Sequence, residues 1–323
     1  MSAMTRRAVL ASLAVPALAS AQDWPSRSIR IIVPQPPGGN LDILVRSVAE
    51  GLRPVLGQPV VVENRAGGNG VIGLEACAQA APDGLTFCSV NIEAMSTLPH
   101  VEPELFARYA SLAPVTQLAT SPSVLLASMA APEGGNLVDF VAWARTQPAL
   151  NYGSSGQGSA QQLLWEWIKA RDHFAMEHVP FRGIADAIRE LVAGRVQASY
   201  VALALAIPNI RAGRVRPLAV LGPRRLAELP DTPTMIELGY DFPYAGAWWG
   251  LAAPANTPEP IQQAMAAAVR RVVLNEEFAA RVLAPQYFRG VGSTPAEFRA
   301  MILRERANGA EVVRLSGITG QGR

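Results

Sequence analysis

The chain has 323 residues, with 28 lysines and arginines against 26 acidic residues, a formal charge of +2, and half of its residues are hydrophobic. That balance excludes a nucleic-acid binder, which would show a basic stripe, and offers no acidic surface to a basic partner. A chain of this length predicts about two domains.

The N-terminus reads as an export signal. Arg6 and Arg7 precede an apolar stretch, residues 8–21, that ends in Ala19-Ser20-Ala21. Basic, then apolar, then A-x-A is the layout of a cleavable signal peptide, and the run falls short of the ~20 residues a membrane span needs. Cleavage after Ala21 would start the mature chain at Gln22 and deliver it to the periplasm. Thr5-Arg6-Arg7 suits general secretion and twin-arginine export equally. Losing both arginines leaves the mature chain near neutrality.

Residues 28–34 form a short β-branched run, a buried strand by pattern. After a Pro/Gly turn, Leu41, Leu44, Val45, Val48 and Leu52 recur at helical spacing. Residues 59–62 read as strand, 67–70 as a glycine turn, the stretch to 80 as helix and 85–90 as strand. Further strands are expected at 123–128, 150–152, 178–181, 196–201, 216–221 and 247–253. Helices are expected at 137–146, 159–171, 185–193, in a short piece reaching 212, and at 233–238. Three more should close the chain, at 258–274, 276–283 and 295–315. Ile261, Met265, Val269 and Val272 give the first of these a core-facing stripe. Thr294-Pro295-Ala296-Glu297 is a capping box with proline in the first turn. Strands alternating with helices predict βαβ units and a parallel sheet covered on both faces.

Two glycine-rich turns, each between a strand and a helix, carry the chemistry. The first is Pro34-Gln35-Pro36-Pro37-Gly38-Gly39-Asn40-Leu41-Asp42, with Asn40 placed to cap the helix. The second is Tyr152-Gly153-Ser154-Ser155-Gly156-Gln157-Gly158-Ser159, where Ser159 and Gln162 fit a capping box. Free N–H groups and the helix dipole attract an anion at such starts. A carboxylate held by neutral donors is the natural guest. Glycine-rich turns also serve tight packing alone. No lysine follows Gly38-Gly39 as a phosphate loop requires, and the second turn reverses the dinucleotide order of glycines.

No catalytic set stands out. His100, His173 and His178 lack metal-binding spacing, and His178 is expected at a strand start, satisfied by backbone. Gln157 occupies the glycine position that a nucleophile elbow around Ser155 would need. Cys77 and Cys88 have no metal or redox spacing. They read as small core thiols, with pairing open in an oxidising compartment. One of Trp248 and Trp249 is expected in the core, the other free to line a cleft. No cofactor is implied.

Taken together, the motifs resemble the periplasmic receptors of tripartite tricarboxylate transporters, the Bug family. The matching stretches run from Trp24-Pro25-Ser26-Arg27 and Pro37-Gly38-Gly39 with Asp42, through Gly57-Gln58-Pro59-Val60-Val61-Val62-Glu63-Asn64-Arg65 and Ala81-Pro82-Asp83-Gly84. They continue with Asn151-Tyr152-Gly153-Ser154-Ser155-Gly156 and His178-Val179-Pro180-Phe181-Arg182-Gly183, then Leu229-Pro230-Asp231-Thr232-Pro233-Thr234 and Gly292-Ser293-Thr294-Pro295. The resemblance implies a type II periplasmic-binding fold, two α/β domains around a ligand cleft. Residues 22–122 and 245–323 would form one domain and 123–244 the other. It implies a non-catalytic receptor holding a small carboxylate through Pro37, Gly38, Gly39, Asn40 and Asp42 on one side. Ser154, Ser155, Gly156, Gln157, Gly158 and Ser159 would serve on the other. Segments 89–94, with Asn91, and 181–185, with Phe181, Gly183 and Ala185, would complete the pocket.

Three positions depart from the family pattern. Phe181 replaces a frequent tyrosine, Val201-Ala202 a frequent Asp-Asn, and Val90-Asn91-Ile92-Glu93 the usual Gly-Thr. With Val201 lining the pocket, the ligand would carry an apolar or aromatic body. The expected partners are membrane transporter subunits, and the expected state is a monomer. A sensor subunit with the same fold is the main alternative, and a secreted hydrolase the remotest.

Overall fold

The computed structural model describes residues 24–318, apart from 243 and 245. The proposed signal peptide lies outside the described residues. The elements run β1 (Ile29–Val33), α1 (Asn40–Leu56), β2 (Val60–Asn64), α2 (Val71–Ala78) and β3 (Thr86–Asn91). A five-residue π-turn (Glu93–Thr97), α3 (Leu98–Val101), α4 (Pro103–Ala107) and β4 (Ala113–Ser121) follow. Next come β5 (Ser123–Ser128), α5 (Leu137–Ala144), β6 (Asn151–Ser154), α6 (Ala160–Asp172) and β7 (Glu177–Pro180). Then stand α7 (Ile184–Val192), β8 (Ala198–Ala202), α8 (Leu203–Arg211), β9 (Val215–Leu221) and β10 (Ala247–Ala253). The described chain closes with α9 (Glu259–Val273), α10 (Glu276–Phe278), β11 (Arg289–Gly290) and α11 (Pro295–Ser316). None of the described helices is long and apolar enough to cross a membrane.

The strands form two sheets, in the orders β11-β4-β10-β3-β1-β2 and β7-β6-β8-β5-β9. Their directions correct the expectation of parallel sheets. β1 is parallel to β2 and β3, and β6 to β7 and β8. β10 runs antiparallel to β3 and β4, and β5 antiparallel to β8 and β9. The short β11 is also antiparallel to β4, while the other reversed strands, β5 and β10, are those by which the chain enters a sheet from the other one. Only Pro122 separates β4 in the first sheet from β5 in the second, and β10 is the return.

The apolar stripes fold as their spacing demands. Leu41, Leu44, Val45, Val48 and Leu52 of α1 are all buried, packed with β1 and with Met265, Val269 and Val272 of α9 on the outer face of the first sheet. Each such side chain contributes roughly 1.5–3 kcal/mol by leaving water. A second core lies outside the other sheet, around Val124, Leu191, Val201 and Val220. The inner faces share one continuous core, from Ile32 and Cys88 through Phe298 of α11 to Leu163 of α6 and Tyr152. α11 packs along α6, so the two sheet layers are joined through helix contact as well as through the crossing strands.

Two further readings are revised. Residues 233–238 make turns rather than a helix. Thr234 bridges to Val220, Met235 N–H bonds the Val220 carbonyl at 3.0 Å, and Gly239 reverses the chain with φ +78°. A strand contact at one end and a left-handed glycine at the other leave room for one turn only. Both Trp248 and Trp249 are buried, 3% and 7% exposed. Trp248 lies edge-on to Phe298 and donates to Glu305 Oε2 at 3.0 Å, and Trp249 lies edge-on to Phe288. Neither is left to line a cleft. Cys77 and Cys88 are free buried thiols, and burial pushes the Cys88 thiol up.

Candidate functional site

β1 and β3 are adjacent and parallel, so the chain leaves their C-terminal ends at one edge of the first sheet. From Val33 it passes into the turn before α1, and from Asn91 into the π-turn. In α/β folds a ligand crevice lies at such edges.

The turn before α1 is built from behind by Asp42. This buried carboxylate accepts from Gly38 N–H at 2.9 Å, from Asn64 Nδ2 at 2.8 Å and from Arg46 Nε at 3.0 Å. Asn64 also reaches the Gln35 carbonyl at 3.0 Å, tying β2 to the turn. Burial opposes the charge on Asp42, but these donors outweigh it and hold the carboxyl below its ordinary range. Asp42 therefore positions the turn, its oxygens spent on the protein's own donors. Gly38 takes φ +85° with open space where a side chain would project. The cap position of α1 is Gly39, which no side chain caps, and Asn40 is the first helical residue rather than the cap. Pro37, Gly38 and Gly39 are exposed. The start of α1 thus presents backbone N–H groups at an exposed glycine surface.

The turn before α6 is closed. Ser159 Oγ accepts from Gln162 N–H as the helix cap. Gln162 Oε1 accepts from Gly158 N–H at 2.7 Å, one residue ahead of the expected box partner. Ser155 Oγ donates to Gln161 Oε1 at 2.9 Å. Ser154 is fully buried; its Oγ accepts from Gly156 N–H at 3.1 Å and lies 2.6 Å from His178 Nε2. His178 stacks on Tyr152, whose hydroxyl donates to Glu166 Oε1 at 2.6 Å, and Lys169 bridges to the same carboxylate at 2.7 Å. Burial lowers the His178 pKa to about 4, so the ring is neutral at physiological pH. The serine side chain, not backbone, satisfies this histidine. Gln157 is exposed, and Gly158, at φ +69°, packs against Val101 and Leu98.

That last contact brings the first sheet to the second turn. Thr97 Oγ1 donates to the Gly158 carbonyl at 3.3 Å and also lies 3.1 Å from the Glu93 carbonyl. Asn91 Oδ1 accepts from Ala94 N–H at 3.1 Å, shaping the π-turn rather than standing free. Glu93 begins the π-turn beside this contact and is half-buried; burial pushes its carboxyl up, against the opposing effect of the Glu93 and Ala160 backbone amides. It lies within segment 89–94, expected to complete the pocket, although Asn91 alone was named there.

Of the remaining expected residues, Phe181 is half-buried over Gly153 and the outer core of the second sheet. Gly183 caps α7 without a side-chain bond, and Ala185 is exposed. Val201 is 1% exposed and packs in the outer core with Val124 and Leu191, so it does not line the crevice. Strand alternation turns it away, and the apolar pocket wall inferred from it goes with it. Two surface hollows of about 410 and 470 Å³ flank α9 and α11, and neither is lined by any expected site residue. Among the described residues no group of three or more His, Cys, Asp or Glu could hold a metal ion.

Two sheets joined by crossing strands, with an open glycine turn at a helix start beside the strand ends, define the fold of a two-sheet solute-binding protein. Residues 44–301 match the tripartite tricarboxylate transporter family receptor, and the chain belongs to that family. It is 33% identical over 321 residues to protein BugT of Bordetella pertussis, covering 95% of both chains. It is 29% identical to the Rhodopseudomonas palustris protein Rpa4515 solved with adipate, with a TM-score of 0.84 over 92% of this chain and 99% of that one. MatC of Rhodopseudomonas palustris, solved with bound malate, is 28% identical with a TM-score of 0.80, covering 90% of this chain and 100% of that one.

Proposed function

We propose that this receptor captures one small carboxylated solute in the periplasm, without turnover, and delivers it to membrane subunits of a tripartite transporter. Residues 22–122 and 245–323 form one domain, 123–244 the other, and the ligand lies between them in a monomer. The observation that carries this reading is the start of α1. Its cap is a glycine that no side chain engages, and a buried Asp42 network fixes the turn. An anion is what such a start lacks. The adipate and malate bound to the two Rhodopseudomonas palustris proteins support a carboxylate as that anion. Ser154 and His178 do not support a hydrolase, because the serine hydroxyl is shut off from solvent in the closed turn.

A thermal-shift screen of the purified protein against mono-, di- and tricarboxylates, aromatic acids and amino acids tests the proposal. Ligand at 100 times its Kd stabilises by about 2.7 kcal/mol, a clear rise in Tm. Gly39→Pro should abolish that rise while folding normally, since φ at Gly39 is −79°, within proline's range. A rise produced only by neutral solutes or nucleotides would reject the reading.

A further inference from the structure

The two hollows beside α11, of about 410 and 470 Å³, are one groove. They share Thr257, Gln262, Arg299 and Leu303, and together they follow α11 from Pro295 to Arg306, roughly 16 Å of helix. The facing wall is fixed by its own bonds. Thr257 Oγ1 donates to the Pro254 carbonyl at 2.8 Å, Gln262 Nε2 donates to the Thr257 carbonyl at 2.7 Å, and Asn256 turns the chain with φ +63°. That wall follows the C-terminal end of β10, which is antiparallel to β3. It therefore lies at the opposite end of the first sheet from the strand ends that edge the crevice.

The groove is apolar in its middle and one-sided in charge. Leu303 is 57% exposed there, and the small side chains of Ala296 and Ala300, one turn apart, leave a channel beside it. Arg299 stands one turn before Leu303 and Arg306 nearly one turn after. Arg299 is exposed. Arg306 is half-buried, donates through Nε to the Met95 carbonyl at 3.0 Å and lies over the Phe106 ring at 4.8 Å. Among the described residues no carboxylate pairs with either guanidinium. Glu259 is the one acid lining the groove; it sits at the Pro295 end and accepts from Gln263 Nε2 at 3.0 Å. Two such cations either side of an exposed leucine, roughly 10 Å apart along the helix, match a partner with the opposite charge at the same spacing.

We infer that this groove docks an acidic amphipathic helix of a partner protein, its apolar side chains against Leu303 and its carboxylates on Arg299 and Arg306. The channel beside the Arg299–Leu303 ridge is the shape that receives a helix, and apolar contact flanked by charge pairs gives it register. The inference stands whether or not the crevice holds a carboxylate.

Fluorescence anisotropy tests it, with a labelled synthetic helix of about four turns that carries two glutamates two turns apart and leucines between them. The unsubstituted protein should bind it saturably. Arg299→Glu and Leu303→Asp should each weaken binding at least tenfold; both side chains are exposed, so Tm should hold. The same helix with lysines in place of its glutamates should bind Arg299→Glu better than the unsubstituted protein. No saturable binding of the acidic helix, equal binding of a scrambled helix of the same charge, or binding that both substitutions leave intact would overturn the inference. Self-association of the protein that Leu303→Asp abolishes would also overturn it and assign the groove to a second copy. Binding to phosphatidylglycerol vesicles that Arg299→Glu abolishes would overturn it in favour of a lipid surface.

Discussion

The turns before α1 and α6 look alike in sequence, glycines and small polar residues between a strand and a helix, yet they are opposites in structure. The first is braced from behind and open in front: Asp42, Asn64 and Arg46 fix it, and no side chain caps Gly39. The second is closed on itself. Ser159 and Gln162 take its amides, and Ser154 is buried against His178. Glycine content marks a helix start that can receive an anion. Whether it is vacant depends on side chains that arrive from elsewhere in the fold.

Placing the same kind of change in each turn gives the largest expected contrast. Gly158→Val puts a β-branched residue at φ +69°, with its Cβ 3.2 Å from Val101. Left-handed strain and overpacking together should cost about 2–4 kcal/mol. Gly38→Ala, at φ +85° in open space, should cost only about 1 kcal/mol. Denaturant melts of the two variants check this, and equal losses would mean the second turn is as open as the first.

Asp42→Ala should come next. It leaves the Gly38 amide and Asn64 without their buried acceptor, at about 1–3 kcal/mol, and should weaken ligand binding by loosening the first turn. The folded carboxyl lies below its unfolded value. The stability it gives is therefore present above the unfolded pKa and lost as pH falls through the folded one. An acid titration of Tm should be flatter in Asp42→Asn than in the unsubstituted protein at the low end.

How much of this was legible follows from where the determinants sit. The stripe of α1, the Thr294–Glu297 box and the strand of β10 are local patterns, and all three form where the sequence places them. Residues 92–121 carry Pro99, Pro103 and Pro114, which break up any single period, and the π-turn, α3, α4 and β4 found there have no local signature. Strand direction was misread because β5 and β10 owe their reversal to crossing between sheets. At the site, local chemistry indicated two anion-ready helix starts. That Val201 faces the core, that Asp42 points backward and that Thr97 reaches Gly158 are facts of tertiary placement.

The second turn offers a pH test of its closure. His178 must stay neutral to keep its stacked, buried place, and its pKa is lowered to about 4 in the folded chain against an ordinary value near 6.5. Between those values the unfolded chain binds more protons, so stability should fall as pH drops from about 6.5 toward 4. His178→Gln should remove that slope in Tm. The smallest effect is expected from Ser159→Ala. Its cap bond to Gln162 is long, 3.4 Å, so the loss should be about 0.5 kcal/mol.

The contrast between an open and a closed helix start is tested most directly by amide NMR during titration with a small carboxylate. The account predicts saturable shifts at the Asn40 and Leu41 amides, with the Gly158 and Gln162 amides, which already have side-chain acceptors, little changed. Carboxylate-dependent shifts centred on Gly158 and Gln162, with Asn40 and Leu41 silent, would contradict it.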